Sequence, residues 1–521
     1  MRYASLLAVS FCLGAMGMTA SDAWSATEAQ CQALVSQDFS SVIDAPTHLM
    51  GSNAVPASAD GVPAHCQVRG YVAPSIEFEI RLPLNNWNGK FLKRGCGGFC
   101  GSVYIAACNN HLKDGYACIA SDMGHTSTGT DAKWAYNDVQ AEIDFGYRAT
   151  HVVTVAGKAI TENFYGTAPQ RSYFMGCSTG GRQGLVEAQR FPYDFDGIVA
   201  GAPVINETGT GMQLLWNVVA NRDANGKQIL PTSKLQMIHD AVIKKCDRND
   251  GLEDGLIGDP RACDFEPSEL QCGGRAGASC LTTAQVEVIN KIYDGPVNSA
   301  GEALYTGGAQ RGSELNWIGT YISEDGGPSI YENFMGDLWR YLGFMPDPGP
   351  SWQQTDFDFD YDYKRLGLME TFYSGSNPDL RKFKANGGKV LVYQGWSDQS
   401  VVPLNIIDYT DTVTNTMGGQ AATQEFFRLF MIPGMNHCSG GEGAYAIDYL
   451  AYMEAWVEQG TAPDRVTGIH PKVSVDSAGT DLPLSADQVE FSRPAFPYPA
   501  TVQYDGTGEP TQASSFVRVD P

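Results

Sequence analysis

Short apolar segments alternate with amphipathic ones through the N-terminal part of the chain. Residues 77–82 alternate apolar and polar positions, as a strand with one buried face does. Residues 89–93, 116–122 and 172–175 are short apolar runs that also predict strands. Residues 147–164 instead carry apolar positions at helical spacing. The pattern therefore predicts strands connected through helices.

The alternation of strand and helix continues to about Pro203. A predicted helix at 184–190 is followed by an apolar strand at 197–201. Strand, tight turn, helix and strand in this order are typical of a parallel sheet with helices on both faces. The chain is therefore predicted to belong to the α/β class.

A long segment without this alternation separates two parts of the predicted sheet. Residues 204–386 are rich in Gly, Asp, Trp and Tyr. Strands are predicted again at 388–395 and 426–432, and a closing helix follows at 444–457. An insertion between strands of one sheet commonly covers a site and supplies substrate contacts. We therefore interpret residues 204–386 as a lid domain.

The charge balance excludes several classes of partner. The 521-residue chain carries 35 Lys and Arg against 59 Asp and Glu, which is a net charge of −24. Nucleic acids and anionic membranes bind cationic surfaces, so neither is expected as a partner. A small neutral substrate fits this charge better. The sequence carries no signal of oligomeric state.

The N-terminus has the features of a signal peptide over residues 1–25. Arg2 precedes a mostly apolar stretch at 6–18, and small side chains at Ala23 and Ser25 allow cleavage after Ser25. The apolar stretch is too short for a comfortable transmembrane helix. A secreted or periplasmic protein is therefore expected.

The cysteine content of an exported chain predicts disulfides. Excluding Cys12 in the signal peptide from the 13 cysteines leaves twelve, hence six disulfides in an oxidising compartment. A zinc site is the alternative, but the early cysteines lack the paired C-x2-C spacing of such sites. Three pairings are open to the four early cysteines, which are Cys96, Cys100, Cys108 and Cys118.

A Gly-x-Ser-x-Gly sequence at 176–180 is the first candidate for chemistry. In this motif a strand leads through a strained turn into a helix, and the turn exposes the serine hydroxyl as a nucleophile. The motif alone is weak because the chain contains 58 glycines. The predicted strand before it and helix after it strengthen the assignment of Ser178. The alternative is an ordinary Gly-rich turn.

A nucleophilic serine needs a histidine base, which in this fold comes last in the order Ser, Asp or Glu, His. Three histidines follow Ser178, and they are His239, His437 and His470. His239 lies in a helix-like stretch of the insertion, and His470 lies near the C-terminal tail. His437 directly follows a predicted strand, so it is the predicted base. The alternative is an ordinary surface-loop histidine.

Asp398 is the predicted acid of the triad, because it directly follows the strand at 388–395. Its role would be to orient the imidazole of His437 and to stabilise the imidazolium. Asp408 and Asp411 are weaker candidates, since both fall in a helical or solvated stretch.

An oxyanion intermediate needs two backbone N–H donors. One is predicted at Thr179, directly after the nucleophile, and the other at Gly98, in the glycine-rich loop after an early strand. Glycine suits this loop because the backbone must approach the substrate closely. A merely flexible loop is the alternative.

Two cysteines adjoin the predicted serine and histidine. Cys177 precedes Ser178, and Cys438 follows His437. A disulfide between these cysteines would close a loop of about 260 residues, which contributes about 5 kcal/mol in the simplest loop-closure model. Its main expected effect is to limit drift between the serine and the histidine.

An acidic loop in the insertion predicts a cation site. Residues 246–255 read Cys-Asp-Arg-Asn-Asp-Gly-Leu-Glu-Asp-Gly, with carboxylates spaced to surround one hard cation such as Ca²⁺. It is not an EF-hand, because the last-position glutamate is missing. A solvated acidic loop is the alternative. The candidate ligands are Asp247, Asp250, Asp254 and the carbonyls of Leu252 and Leu256.

Jointly, these motifs resemble the tannase/feruloyl esterase family, which also includes mono(2-hydroxyethyl) terephthalate hydrolase. The resemblance rests on the Cys-Ser, Asp and His-Cys constellation, the acidic motif at 246–255 and the segment at 190–203. It extends from Cys31 to Pro497. It implies an α/β-hydrolase core, a large lid with a structural Ca²⁺, and hydrolysis of aromatic acid esters such as galloyl or feruloyl esters.

The resemblance also implies roles residue by residue. The triad falls on Ser178, Asp398 and His437, and the oxyanion donors fall on Gly98 and Thr179. The calcium ligands carried over are Asp247, Asp250, Leu252, Asp254 and Leu256. The disulfides carried over are Cys31–Cys66, Cys177–Cys438, Cys246–Cys263 and Cys272–Cys280. The corresponding domains are the signal peptide at 1–25, a catalytic domain at 26–203 and 387–521, and the lid at 204–386.

The chain departs from the terephthalate enzyme in the lid. The arginine that holds the terephthalate carboxylate there has no clear counterpart, and Ile330 aligns with it. This difference favours neutral phenolic esters over terephthalate monoesters. Phe334, Trp339 and Trp396 are candidates for aromatic walls of the pocket, and their alternative is a place in the core.

The predicted function is therefore that of a secreted serine esterase that cleaves phenolic acid esters through an acyl-enzyme. One alternative is an esterase for terephthalate monoesters or related polyester fragments, and another is a peptidase on the same scaffold. A non-catalytic, calcium-stabilised binding protein is the alternative from a different class. A broken triad would favour it, and the sequence shows none.

Overall fold

The strands of the fold are defined in a computed structural model that describes residues 26–59, 61–275, 277–324, 326–475, 482 and 484–521. The predicted signal peptide, with Cys12, lies outside the described residues. The strands are β1 (Thr47–Val55), β2 (His65–Val72), β3 (Ile76–Pro83), β4 (Lys90–Arg94), β5 (Ala117–Ser121), β6 (Arg171–Cys177), β7 (Gly197–Gly201), β8 (Lys389–Gly395), β9 (Phe427–Ile432), β10 (Val466–Pro471), β11 (Val489–Ala495), β12 (Thr501–Tyr504) and β13 (Phe516–Val519).

Short 3-10 turns accompany the α-helices of the described residues. The α-helices are α1 (Glu28–Ala33), α2 (Asn109–Lys113), α3 (Val139–Ile143), α4 (Ala149–Tyr165), α5 (Thr179–Arg190), α6 (Glu207–Ala220), α7 (Leu235–Cys246), α8 (Thr283–Asp294), α9 (Ile330–Tyr341), α10 (Gly367–Tyr373), α11 (Arg381–Ala385), α12 (Pro403–Met417), α13 (Gln420–Gln424) and α14 (Tyr449–Gln459). None of them has the length and apolar character needed to cross a lipid bilayer.

One mixed sheet organises the described chain. Its strand order is β1-β2-β3-β5-β4-β6-β7-β8-β9. From β5 to β9 the neighbours run parallel, as the strand–helix alternation predicts. The strands β1, β2, β3 and β5 pair antiparallel instead and form an edge that the sequence pattern did not predict. The chain is thus an α/β protein with an antiparallel extension.

Side chains of β6 point alternately to two apolar layers, one on each face of the sheet. Phe174 belongs to a large cluster that also contains Leu185 of α5 and Val153 of α4. Tyr173 and Met175 belong to a second cluster on the opposite face. Apolar residues on both sides make β6 a central, fully covered strand. This burial holds the end of β6, and the serine that follows it, in a rigid position.

Two predicted helices have different starting points in the structure. α5 begins at Thr179, earlier than the predicted start at residue 184, because its first turn contains glycines that carry no helical pattern. α14 begins at Tyr449, later than the predicted 444, since Ala446 forms a bridge with Ile469. In both helices the first residue is set by the local backbone rather than by the spacing of apolar side chains.

The predicted insertion leaves the sheet after β7 and returns at β8, the neighbouring parallel strand. Its helices α7 and α8 enclose an apolar cluster of their own, which includes Ile238, Ile289 and Trp317. Helices α6 and α9 pack against each other beside this cluster. The domain boundaries at 203 and 387 remain a prediction, although the insertion between the two strands is evident.

The carboxyl ends of β6, β8 and β9 meet at one edge of the sheet, because these strands run parallel. Ser178 follows β6, Asp398 follows β8, and His437 follows β9. Ligands of open parallel sheets bind outside this edge. The topology therefore brings together three residues that are far apart in the sequence.

Candidate active site

Ser178 occupies a strained turn between β6 and α5. Its backbone has φ 64° and ψ −123°, in a region that non-glycine residues rarely adopt. The turn is held by a hydrogen bond from the Ser178 amide to the Gly201 carbonyl at 2.9 Å. A Cβ at Gly176 would lie 2.8 Å from backbone atoms of Gly180, so the close turn requires glycine. This contact explains the Gly-x-Ser-x-Gly spacing.

Asp398 and His437 form a buried acid–base pair. Nδ1 of His437 lies 2.9 Å from Oδ2 of Asp398, a carboxylate that is only 1% exposed. Oδ1 accepts the amides of Ser400 and Val401 at 2.7 and 2.9 Å. Oδ2 also accepts the side-chain amide of Gln394 at 2.8 Å. These bonds orient the imidazole and leave Nε2 for the serine.

The weaker candidates have other partners. His239 lies in α7, where burial alone would lower its pKa, but hydrogen bonds with Glu314 and Glu442 outweigh burial and raise the pKa to about 9. Nδ1 of His470 lies 2.8 Å from the Gly443 carbonyl. Asp408 and Asp411 both lie in α12, as predicted. The structure places His437 beside Asp398 instead.

The two predicted oxyanion donors are tied to each other. Thr179 is the first residue of α5, where a helix leaves its amides unpaired and carries a partial positive charge. Its hydroxyl donates to the Gly98 carbonyl at 2.7 Å. Gly98 has φ 56°, and a Cβ there would collide with the Gly129 carbonyl oxygen. The geometry thus requires glycine at this position and places it beside the nucleophile.

Ser178 and His437 line two cavities. The smaller cavity, about 170 Å³, lies between the sheet edge and α9. The wider one, about 530 Å³, extends past the early cysteine loop and includes Arg94, Tyr104 and Tyr393. Besides the serine and histidine, the smaller cavity is lined by Gly98, Thr179, Val204, Glu207, Thr210, Gly211, Leu214, Tyr331, Phe334, Met335, Leu338 and Ser400.

One of the three aromatic candidates lines the smaller cavity. Phe334 is on its wall. Trp339 is fully buried and packs against Phe344 and Phe357, so it is a core residue. The ring of Trp396 lies under the Arg261 guanidinium at 5.4 Å, outside both cavities. The prediction of Trp339 and Trp396 as pocket walls is therefore wrong, because both serve packing.

The sequence analysis predicted Phe334 but missed its neighbours on the cavity wall, although one signal was present. Tyr331, Phe334, Met335 and Leu338 are spaced by three, one and three residues along α9, which places them on one helical face. That spacing predicts a shared surface. Glu207 carried no comparable signal, because its position depends on how α6 packs under α9.

The same edge of the sheet is held by a disulfide. Cys177 and Cys438, which flank the serine and the histidine, are bonded with their Cα atoms 5.8 Å apart. The early cysteines pair as Cys96–Cys100 and Cys108–Cys118, which decides among the three possibilities. The other pairs are Cys31–Cys66, Cys246–Cys263 and Cys272–Cys280. All four pairings implied by the resemblance are present, and all twelve cysteines after residue 25 are in disulfides.

Comparison with known proteins identifies the scaffold. A family model described as tannase and feruloyl esterase matches residues 61–519. The chain belongs to the tannase and feruloyl esterase family. It is therefore a carboxylic ester hydrolase with an α/β-hydrolase core.

Relatives of this esterase cover nearly all of it. Mono(2-hydroxyethyl) terephthalate hydrolase of Piscinibacter sakaiensis is 33% identical, and the match covers 89% of this chain and 86% of that protein. A probable feruloyl esterase of Arthroderma benhamiae is 32% identical over 85% of this chain and 83% of its own length. The crystal structure of feruloyl esterase B from Aspergillus oryzae superposes with a TM-score of 0.84 at 30% identity, and it covers 94% of this chain and 100% of that one.

The acidic loop of the esterase is ordered by its own backbone. Asp247 accepts the amides of Asp254 and Gly255 at 3.2 and 3.0 Å. Asp254 also pairs with Arg493 at 2.5 Å. Burial, together with the charges of Asp254 and Asp247, raises the pKa of Asp250 to about 7. Three carboxylates, with the backbone carbonyls of the loop, are a donor set that suits a hard cation.

The carboxylates of this loop are not drawn into one tight cluster. Within the described ranges, one group of three such side chains has all its ligand atoms within 4.8 Å of one another. That group lies elsewhere and comprises His151, Glu187 and Asp194. Two of its members are already joined, since Nδ1 of the histidine lies 2.6 Å from Oδ2 of the aspartate.

Removing the Cys177–Cys438 bridge of the esterase is expected to lower both activity and stability. The double variant Cys177→Ala/Cys438→Ala opens a bridge between residues 261 positions apart. We expect a loss of about 5 kcal/mol in the free energy of unfolding from the loop-closure model. We also expect kcat to fall about a hundredfold, because drift of about 1 Å between serine and histidine has that effect. Denaturant unfolding and steady-state kinetics measure the two losses.

A second disulfide of the esterase provides the control. Cys272 and Cys280 lie in the insertion and are 8 positions apart. Replacing both with alanine is expected to cost about 2 to 3 kcal/mol of stability and to leave kcat within twofold of the wild type. An unchanged kcat in the Cys177→Ala/Cys438→Ala variant would contradict a positioning role for that bridge.

Proposed function

We propose that this esterase is exported and hydrolyses esters of phenolic aromatic acids, with Ser178 as nucleophile. The observation that carries the proposal is the narrow cavity under α9, which is lined by Ser178 and His437 and walled by Phe334 and Tyr331. An aromatic acyl group fits between such walls because ring faces and edges pack favourably. The wider cavity on the other side of the serine is open to the alcohol part of the ester.

The first half of the reaction forms an acyl-enzyme. Ser178 Oγ attacks the ester carbonyl carbon while Nε2 of His437 takes its proton. Asp398 stabilises the resulting imidazolium through the 2.9 Å contact with Nδ1. The amides of Thr179 and Gly98 are the proposed donors to the developing oxyanion. The imidazolium then gives its proton to the departing alcohol, and the acyl group stays on the serine.

The second half regenerates the enzyme. Water enters from the wider cavity once the alcohol has left, and His437 accepts its proton as the oxygen attacks the acyl carbon. The same amide donors stabilise the second oxyanion, and the proton returns to Ser178 as the acid departs. Each proton passes through one nitrogen, Nε2, because Nδ1 is held by Asp398.

Terephthalate monoesters are the second candidate substrates, since a relative carries that name. Their acyl part brings a carboxylate into the cavity. None of the residues that line the smaller cavity is Lys or Arg, and Glu207 adds a further carboxylate. The predicted counterpart of an anion-binding arginine, Ile330, is 59% exposed and is not among the lining residues. This charge arrangement favours a neutral phenolic ring.

Purified enzyme tests the substrate class directly. Release of free acid would be measured from methyl gallate, methyl ferulate and mono(2-hydroxyethyl) terephthalate, with Ser178→Ala as the blank. We expect turnover of a phenolic methyl ester to exceed that of the terephthalate monoester. The amide of the best acid should not be cleaved at a comparable rate. A preference for the terephthalate monoester would overturn the proposed specificity.

We also propose that the acidic loop binds a structural Ca²⁺ and that the protein is exported. Asp247, Asp250 and Asp254 would hold the ion with the carbonyls of Leu252 and Leu256, and Asp254 would then leave Arg493. Six disulfides support export, because disulfides persist in oxidising compartments. Fractionation of the producing cells tests export, since cytoplasmic retention of the active enzyme would contradict it.

Calcium removal is expected to lower thermal stability rather than chemistry. A hundredfold excess of ion over Kd contributes about 2.7 kcal/mol, and at about 2 °C per kcal/mol chelation should lower Tm by roughly 5 °C. Asp250→Asn should abolish this shift, whereas the exposed Glu253→Gln in the same loop should retain it. Scanning calorimetry with calcium and with chelator measures the difference. Equal Tm values in both conditions would contradict the site.

A further inference from the structure

The smaller cavity contains one carboxylate that the proposed reaction does not use. Glu207 lines this cavity and is 8% exposed. It is the first residue of α6 and lies three positions after Val204, whose amide donates to the Ser178 carbonyl at 3.3 Å. Among the lining residues it is the only Asp, Glu, Lys or Arg. One acidic side chain therefore lies in the wall of the pocket that contains Ser178.

One oxygen of the Glu207 carboxylate lacks a hydrogen bond within the described chain. Oε2 is buried with no hydrogen-bond partner there. Its nearest charge is the fully buried guanidinium of Arg182, whose Nε lies 3.4 Å away. Burial raises the pKa of Glu207, and Arg182 opposes that rise. Leaving a buried carboxylate short of hydrogen bonds is unfavourable, so a donor from a bound molecule would be stabilised there.

Apart from Ser178 and His437, the other polar side chains of the cavity wall already have hydrogen-bond partners. Oγ1 of Thr210 lies 2.9 Å from the hydroxyl of Tyr305. The Tyr331 hydroxyl is hydrogen-bonded to Ser400. Glu207 is thus the one acidic lining side chain, and one of its oxygens has no hydrogen bond within the described chain.

We propose that Glu207 accepts a hydrogen bond from a hydroxyl group on the aromatic ring of the acyl part, and so makes the esterase selective for ring-hydroxylated acids. This inference rests on the proposed function, because it places the acyl ring in the smaller cavity. A site that hydrogen-bonds a substrate hydroxyl rejects the analogue without it, since the protein group is then left unpaired. Glu207 acts in specificity and takes no part in the proton transfers.

Matched esters that differ by one hydroxyl test the proposal. The kcat/KM values of methyl 4-hydroxycinnamate and methyl 3-hydroxycinnamate would be compared with that of methyl cinnamate. We expect the wild type to prefer at least one hydroxylated ester by tenfold or more. Methyl esters with methoxy in place of that hydroxyl should behave like the unsubstituted ester, because they have no proton to donate. A wild-type ratio near one for both hydroxylated esters would overturn the proposal.

Two substitutions of Glu207 separate charge from hydrogen bonding. Glu207→Gln keeps an acceptor oxygen without the charge, and we expect the preference to fall about tenfold, since hydrogen bonds to charged groups are the stronger ones. Glu207→Leu removes the acceptor and should bring the ratio of hydroxylated to unsubstituted ester close to one. A Glu207→Leu enzyme that keeps the wild-type ratio would overturn the proposal.

A neighbouring buried carboxyl gives the matched control. Glu370 accepts the amide and the hydroxyl of Thr208, both at 2.7 Å, and it does not line the cavity. Glu370→Gln disturbs the same buried region, yet it should keep the wild-type ratio. If Glu370→Gln lowers the ratio as much as Glu207→Gln does, the effect is structural and the proposal fails.

A binding measurement separates this inference from the proposed function. The product acids, 4-hydroxycinnamate, 3-hydroxycinnamate and cinnamate, would compete with 4-nitrophenyl acetate, a small reporter ester. At least one hydroxylated acid should inhibit the wild type about tenfold more strongly than cinnamate and lose that advantage in Glu207→Leu. Failure of the enzyme to cleave any cinnamate ester would count against the proposed function, whereas equal inhibition by all three acids would count against Glu207.

Discussion

Replacing Ser178 with alanine is expected to reduce kcat by about 10⁵- to 10⁶-fold. In the proposed mechanism its hydroxyl is the attacking group, so the substitution removes the nucleophile. Alanine and serine share the same Cβ, so the unusual backbone at φ 64° carries no new strain. The variant should therefore keep the wild-type Tm within about 2 °C, which circular dichroism and calorimetry would check.

Ser102→Ala is the matched control for the nucleophile. Ser102 also lines the wider cavity, so this change removes a hydroxyl from the same space. We expect kcat within twofold of the wild type. If Ser178→Ala retained more than about 1% of the wild-type rate on the best phenolic ester, serine catalysis through this residue would be wrong.

Replacing Asp398 with asparagine is expected to lower kcat by about 10⁴-fold, the size of effect seen when the acid of such a triad is neutralised. Oδ1 accepts two backbone amides, from Ser400 and Val401, so the asparagine oxygen will be favoured at that position. Its NH₂ group then faces Nδ1 of His437. Nδ1 must then accept a hydrogen bond from this NH₂ group, so the neutral imidazole carries its proton on Nε2. A protonated Nε2 cannot take the proton of Ser178.

Steady-state kinetics of Asp398→Asn and Asp408→Asn distinguish this role from a general charge effect. Asp408 lies in α12, outside both cavities that contain the serine. We expect Asp408→Asn to keep kcat within twofold. Equal losses in the two variants would show that net charge, rather than the contact with His437, matters for the rate.

The strand and helix pattern of the core was predictable because its information is local. The apolar run at 197–201 coincides with β7, and the alternation at 77–82 lies inside β3. The elbow was predictable because its close backbone contacts favour glycine at two positions: a Cβ at Gly176 would meet the backbone of Gly180, and one at Gly180 would meet the Cys96 carbonyl. Ser178, Asp398 and His437 were predictable as a set because each of them follows a predicted strand, in the order that this fold requires.

The antiparallel edge and the lid packing were not predictable in the same way. β3 pairs antiparallel with β5, which comes after β4 in the chain, and β2 and β1 extend the sheet beyond β3, so the place of this edge is set only in the folded sheet. Trp339, Trp396 and Phe334 are all aromatic and were all candidates for pocket walls. Packing nevertheless buries both tryptophans outside the two cavities. An aromatic side chain packs equally well in the core and in a pocket wall, so residue type alone does not distinguish these two positions.

The sequence by itself predicted the α/β class, the pairing of Cys177 with Cys438 and the candidate triad of Ser178, Asp398 and His437, since each depends on short motifs or on the order of strands. Only the tertiary structure decided the pairing of the four early cysteines and the place of Glu207 in the cavity wall. The physical reason is that these features depend on distances between segments far apart in the chain. Such distances are set by how helices and loops pack on the sheet, and no local pattern records them.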